Sequence, residues 1–343
     1  MDVSLWVWLV TVAVILAMLA VDFVGHARVP HAPSMRESAT WSAAYVAVAL
    51  VFGGLVWVGW GGEYAGEYFA GYVTEKSLSI DNLFVFVLIM ATFRVPRVVQ
   101  QKVLLFGITV ALVLRTVFIL LGAALIENFS WVFYVFGAFL LWTAWSQVRH
   151  ARAGDEEEFH ENGVLRLARR VLPVTDDFVD DKMVVRRAGR RLVTPLLFVM
   201  IAIGSADVLF AVDSIPAIFG LTQETYLVFA ANAFSLLGLR QLYFLVDGLL
   251  DRLVFLAYGL AAILGFIGVK LVLHALHTNE LPFVNGGEHV DVPEVSTALS
   301  LGYIAVVLTV TTVLSLWVDA RRQRAAAAAT PPAEAPTDAR KDA

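Results

Sequence analysis

No cysteine occurs anywhere in the chain, which excludes disulfides, thiolate metal sites and cysteine nucleophiles. Any metal the protein handles must therefore be met by oxygen or imidazole. Charge is scarce as well: Asp, Glu, Lys and Arg make up 16% of the 343 residues, against about a quarter in a soluble domain. There is no phosphate-binding loop, no nucleophile–base constellation and no nucleic-acid signature. The chain does not read as an enzyme, as an ATP-driven machine or as a nucleic-acid binder, and nothing in it specifies a homo-oligomer.

What is present is apolar length. Hydrophobic residues make up 59% of the chain, and the mean hydropathy is +0.74. Five long, uncharged apolar stretches run at 3–21, 38–62, 128–148, 253–269 and 295–318. Four more, at about 72–93, 103–126, 192–219 and 225–246, are interrupted by charge. Each is close to the roughly twenty residues that cross a bilayer as a helix. The fold expected is an all-α polytopic membrane bundle of about nine transmembrane helices, forming one domain over 1–320. Met1-Asp2 offers no basic leader and no cleavage site follows, so 3–21 reads as a retained first span.

The loops orient it. Arg28 and Arg36, then Arg94, Arg97 and Lys102, then Arg149, Arg152, Arg186, Arg187, Arg190 and Arg191, and finally Arg321, Arg322 and Arg324 all fall on one side of a nine-span chain. The opposite loops carry Glu63, Glu67, Glu127, Glu224, Glu280, Glu288, Asp291 and Glu294 without a lysine or arginine. The positive-inside rule puts the N-terminus outside and the C-terminus in the cytoplasm. Within the long cytoplasmic loop at 149–191, the apolar pattern Val164, Leu165, Leu167, Val171, Leu172 suggests an amphipathic surface helix. The tail, 321–343, turns Ala- and Pro-rich from Ala325 and reads as disordered.

The charged spans repeat. Ser79-Ile80-Asp81-Asn82-Leu83-Phe84 matches Ser205-Ala206-Asp207-Val208-Leu209-Phe210 at Ser, Asp, Leu and Phe. Asp81 precedes Arg115 by 34 residues and Asp207 precedes Arg240 by 33. Val132-Phe133 and Gly137 answer Val254-Phe255 and Gly259 more weakly. The unit is three spans, 3–5 (about 66–148) and 6–8 (about 192–275). An odd number of spans inverts the second copy, a plan that places a substrate site at mid-bilayer between the repeats.

A carboxylate at mid-bilayer costs about 2.5–3 kcal/mol even on insertion scales, so it faces protein or a wet cavity. Asp81 and Asp207 lie near the middle of spans 3 and 6, with Glu75 and Asp213 nearer the outer ends. Six residues of helix leave the side chains of each pair about 120° apart. Sharing a face would need a locally opened helix, for which Gly71, Gly204 and Pro216 are placed. Asn82, Ser79, Ser205, Ser214 and Asn232 could add neutral oxygens. Such hard donors suit Mn²⁺, Mg²⁺ or Ca²⁺ better than Zn²⁺ or Cu⁺. Arg115 and Arg240 read as counter-ions of the empty site, or as gating groups, and Glu67 as a possible entrance. Asp22 and His26 at the inner end of span 1 read as interfacial anchors. Lys270 reads as a snorkelling lysine beside His274 and His277; Trp6, Trp8, Trp57 and Trp60 form an aromatic belt.

Three segments together resemble the TerC family of integral membrane proteins. They are Glu67 and Gly71-Tyr72-Val73-Thr74-Glu75 with Ser77-Leu78-Ser79-Ile80-Asp81-Asn82, then Thr194-Pro195-Leu196-Leu197 with Asp207 through Ile218, and Asn232 with Leu239-Arg240-Gln241-Leu242-Tyr243-Phe244. The resemblance covers about 40–275. It implies a bacterial plasma-membrane protein of a family labelled for tellurite resistance and associated with Mn²⁺ export. It also implies that Glu75, Asp81, Asp207 and Asp213 are the acids concerned. The family pattern carries a further acid where this chain has Gly204, which would leave its site one carboxylate short. The expected function is a secondary transporter exporting Mn²⁺ as its substrate, with Asp81 and Asp207 as core ligands exchanging metal for protons and with no permanently bound cofactor. The alternative is a membrane scaffold or assembly factor.

Overall fold

The structure, a computed structural model, describes residues 1–27, 33–153, 182–187, 190–246, 253–282 and 284–329, with 165–167 and positions 170, 173, 175, 178 and 179 of the long connection. Ten α-helices occur among the described residues: α1 (Leu5–Asp22), α2 (Met35–Trp60), α3 (Gly62–Thr92), α4 (Arg97–Asn128), α5 (Val132–Ala153), α6 (Pro195–Phe219), α7 (Thr225–Leu236), α8 (Leu239–Val246), α9 (Leu256–His277) and α10 (Thr297–Ala329). This is an all-α polytopic membrane bundle. Seven segments among the described residues are long and apolar enough to cross a bilayer, α7 and α8 together counting as one. The other two expected spans are α3 and α5, with 31 and 22 residues. Both exceed the roughly twenty residues of a crossing; their charges at Glu75, Lys76 and Asp81, and at Arg149 and Arg152, lower their hydropathy.

Burial sorts the helices into centre and rim. The α7–α8 span is 89% buried over its apolar window, whereas α1 is 17% and α10 is 11% buried. Side chains such as Trp6, Val58 and Val306 are exposed on the rim helices, as lipid-facing positions should be when the solvent is hydrocarbon.

The packing obeys the repeat. α3 lies against α7, α4 against α6, and α5 against α9; α3 also meets α6, and α4 meets α7. Exchanging α3 with α6, α4 with α7 and α5 with α9 maps this set of neighbours onto itself. Directions agree: Gly107 faces Ile203 and Gly122 faces Phe219, so α4 and α6 run parallel. Phe133 meets His274 while Gly265 faces Ala144, so α5 and α9 run antiparallel.

Several expectations need correction. α3 begins at Gly62, ten residues before the expected start of span 3, and takes Glu63 and Glu67 out of the loop into its first turns. No opening occurs at Gly71, Gly204 or Pro216, since α3 and α6 are continuous through all three. Gly71 serves close packing instead, facing the Ile218 side chain and Ala231 Cβ. The interruption falls in span 7, at Leu237-Gly238 between α7 and α8. Gly238 has φ +85°, and a Cβ there would come within 3.0 Å of Tyr45 Cβ, so backbone conformation and close approach both demand glycine.

Of the proposed amphipathic helix, 165–167 is helical and Leu165 is buried in the main core rather than lying on the membrane surface. Val164, Val171 and Leu172 lie outside the described residues. An unforeseen antiparallel hairpin, β1 (Val184–Arg187) and β2 (Arg190–Val193), ends the connection, pairing Val184 with Val193. α10 runs on through Ala329, past the expected start of the tail, because alanine is the best helix former; the tail from 330 lies outside the described residues.

Candidate functional site: a buried charge cluster on Arg115

Arg115 of α4 is fully buried, and a guanidinium at that depth must be matched on all of its donors. Its Nη1 donates to Glu75 Oε2 at 2.8 Å and to Ser214 Oγ at 3.2 Å. Nε and Nη2 donate to Asp207 Oδ2 and Oδ1 at 3.3 and 3.1 Å. Asn82, with its amide turned to suit its neighbours, accepts from Nη2 at 3.3 Å and donates to the Leu78 carbonyl at 3.1 Å. One arginine thus ties α3, α4 and α6 together at the repeat interface. The two-pronged bond to Asp207 is the geometry for which a planar fork is suited.

Two carboxylates share one cation. Asp213, on α6, lies near enough to interact electrostatically with both Arg115 and Glu75. Asn232 of α7 stands beside Glu75. Glu75 Oε1 and Asn232 Nδ2 are buried without a partner at hydrogen-bond geometry, and so are Thr74 Oγ1 and Ser79 Oγ. Buried polar atoms are almost always satisfied; Glu75 Oε1 and Asn232 Nδ2 face one another as acceptor and donor, and unpartnered buried atoms also occur around Arg240, at its Nε, at Gln241 Oε1 and at Tyr45 Oη.

The expected residues separate into two groups. Glu75, Asp207, Arg115, Asn82, Ser214 and Asn232 converge. Asp81 does not; it is half-buried and accepts from Gln147 Nε2 of α5 at 3.2 Å. Ser205 donates to the Ala202 carbonyl of its own helix at 2.9 Å. Arg240 is not a counter-ion of this site: its Nη2 meets Asp22 Oδ1 at 2.9 Å and its Nη1 meets Gln101 Oε1 at 3.1 Å. Asp22, read from sequence as an interfacial anchor, is instead buried and also accepts from Gln241 at 3.1 Å. Gly204 faces Val110 of α4 across an ordinary 3.8 Å contact.

Lys76 is a group that the sequence reading passed over. Its Nζ donates to the Ser235 and Leu237 carbonyls at 3.0 and 3.5 Å, satisfying acceptors freed by the break between α7 and α8. Its signal in the sequence is a charge at span depth beside Glu75. Among the described residues no three Asp, Glu or His side chains stand together at metal-ligand spacing. The oxygens around Arg115 are hard donors of the kind Mn²⁺, Mg²⁺ and Ca²⁺ take; here a guanidinium holds them.

A polytopic bundle with a buried, shared carboxylate pair at a repeat interface defines the class: an integral membrane protein with a polar centre inside the bilayer. The chain belongs to the integral membrane protein TerC family, whose match spans residues 60–323. It is 54% identical to an uncharacterized membrane protein of Mycobacterium tuberculosis, over 92% of this chain and 80% of that one. An uncharacterized membrane protein of Myxococcus xanthus is 41% identical over 78% of this chain and 83% of its own length. The Escherichia coli protein named "Putative membrane-bound redox modulator Alx" is 37% identical over 91% and 94%. No solved structure matches the chain.

Proposed function

We propose that the chain is a secondary transporter that exports a divalent cation, Mn²⁺ foremost, in exchange for protons. The observation that carries this is the pair Glu75 and Asp207, buried at the repeat interface on one shared cation. Arg115 stands in for the substrate. A divalent ion entering between the two carboxylates displaces the guanidinium, and Asp213 offers the displaced charge a partner. Asn82, Ser214 and Asn232 supply neutral oxygens. Release of the ion returns the carboxylates to Arg115 or to protons. No nucleotide-binding motif is present, so an ion gradient is the economical source of energy. The membrane is the bacterial plasma membrane, with the N-terminus outside and the C-terminus in the cytoplasm, following the arginine distribution.

The test is metal flux in proteoliposomes, comparing the unaltered protein with Asp207→Asn across Mn²⁺, Ca²⁺ and Mg²⁺. Mn²⁺-selective flux that falls at least tenfold in the variant is the expected result. Absence of flux for every ion, from folded protein, would overturn it.

A second reading, as a membrane scaffold, draws on the redox-modulator name carried by the Escherichia coli relative. With no cysteine of its own, this chain has no thiol to offer redox chemistry, and the scaffold reading has it assembling or supplying another protein. Shortening the connection at 154–181 with the buried acids intact separates the two: a scaffold loses its activity, a transporter keeps its flux.

A further inference from the structure

α3 and α6 run antiparallel, and three successive levels of their contact can be read off in register. At the first, Thr222, just beyond α6, donates to Glu67 Oε2 at 2.6 Å. At the second, Gly71 faces the Ile218 side chain. At the third, Glu75 and Ser214 meet on Arg115. Glu67, Gly71 and Glu75 are spaced at i, i+4 and i+8, so they lie along one stripe of α3. Each level is one turn, about 6 Å, below the one before.

The first level is open. Glu67, Glu63, Glu224, Thr222, Gln223 and His274 are among the walls of a cavity of about 330 Å³ on the acidic side of the protein. The third level is the charge cluster. Between them the second level is wholly apolar. Ile218 and Ala231 are 0% exposed, and a Cβ on Gly71 would stand 3.2 Å from Ile218 and 3.3 Å from Ala231 Cβ. The seal is thus one residue layer thick.

From this ladder we infer that Ile218, seated on Gly71 and Ala231, is the outer gate, and that the acidic vestibule is the mouth through which a divalent cation leaves the Glu75–Asp207 cluster. The assignment of the cation rests on the transporter reading; the gate itself is a statement about access. A single apolar layer over charged groups excludes water and ions while closed, and a small shift of Ile218 joins the two compartments. The missing Cβ at position 71 makes room for the Ile218 side chain in the seal. Glu67, on the floor of the vestibule and bonded to Thr222, latches α3 to the end of α6 above it.

The absence of cysteine makes access directly measurable. Single cysteines are placed at Gln223 in the vestibule and at Ser214 below the seal, and a membrane-impermeant methanethiosulfonate is added from the acidic side. Gln223→Cys should label at once and Ser214→Cys at least ten times more slowly. Adding Ile218→Ala to Ser214→Cys should raise its rate at least tenfold; Ile218→Val, which keeps a branched side chain, serves if the alanine variant does not fold and should give a smaller rise. Equal labelling of the two reporters, or a Ser214→Cys rate unchanged by either substitution, would overturn the gate. Labelling requires no transport, so a protein that moved no metal would sink the transporter reading while leaving this result to stand or fall alone.

Discussion

Asp207 takes both prongs of the Arg115 fork, 3.1 Å from Nη2 and 3.3 Å from Nε, while the same guanidinium holds Glu75 at 2.8 Å. Removing a buried cation that compensates two carboxylates costs about 3–5 kcal/mol. Arg115→Met should therefore unfold at markedly lower temperature in detergent, and Mn²⁺ should recover part of the loss by taking the guanidinium's place. Arg115→Lys should fall between, since an ammonium is a point charge and cannot make both prongs. An Arg115→Met protein as stable as the unaltered one, with or without Mn²⁺, would show that the cluster does not hold the repeats together.

The second buried pair makes a contrasting prediction. Arg240 and Asp22 meet at 2.9 Å, with Gln101, Gln241 and Tyr45 around them, and the acids of the first cluster, Glu75 and Asp207, lie on Arg115 instead. Asp22→Asn should lower stability by about 3 kcal/mol or more, because Arg240 is left buried without its charge partner. Ion selectivity in flux assays should not change. A shift in the ratio of Mn²⁺ to Ca²⁺ flux would place this pair in the ion path instead.

Much of this was legible in the sequence for one reason: charge at span depth is so costly that its positions are informative. Asp81, Asp207, Arg115 and Arg240 exposed the repeat, and the neighbours of α3, α4 and α5 follow it. The partners could not be read the same way. Asp22 and Arg240 are 218 residues apart, and the repeat alignment gave every reason to expect the two arginines to play equivalent parts. Arg115 takes its acids from both repeats, whereas Arg240 bonds Gln101 of the other repeat but takes its acid from α1, which lies outside the repeat. The six-residue spacing of the acids predicts a helix opening at Gly71, Gly204 or Pro216. The structure answers the spacing differently, by sending Glu75 and Asp81 to separate neighbours on α4 and α5. The break at Gly238 had a local signal, glycine inside an apolar span, but glycine is common in packed transmembrane helices.

Asp81 therefore tests how far the symmetry extends to function. It accepts from the neutral Gln147 amide at 3.2 Å, and an asparagine at 81 can still accept from it. Asp81→Asn keeps that hydrogen bond and should cost less stability than the loss of a buried ion pair. Asp207→Asn breaks a charged pair and should cost more. If Asp81 lies on the ion path, flux falls in its variant at unchanged stability, whereas both quantities fall in the Asp207 variant. Flux retained in Asp81→Asn would confine the ion site to the Arg115 cluster.

The crossing of α5 and α9 gives a prediction free of charge altogether. A Cβ on Gly137 would meet Val272 Cγ2 at 2.7 Å, the Gly268 carbonyl oxygen at 3.0 Å and the Val272 amide nitrogen at 3.1 Å. Two of those three atoms are backbone, so no side-chain rotation relieves the contact and the helices must separate. Overpacking of this kind costs about 1–3 kcal/mol. Gly54 is the control: nothing lies within 4 Å of its Cβ position, so alanine there should be neutral or stabilising through helix propensity, worth up to about 1 kcal/mol. Reversible unfolding in mixed detergent should show Gly137→Ala below, and Gly54→Ala at or above, the unaltered protein. Because α5 and α9 exchange with each other under the repeat symmetry, spreading their crossing displaces both halves together. Gly137→Ala unfolding together with Gly54→Ala would mean that this contact does not clamp the two repeats.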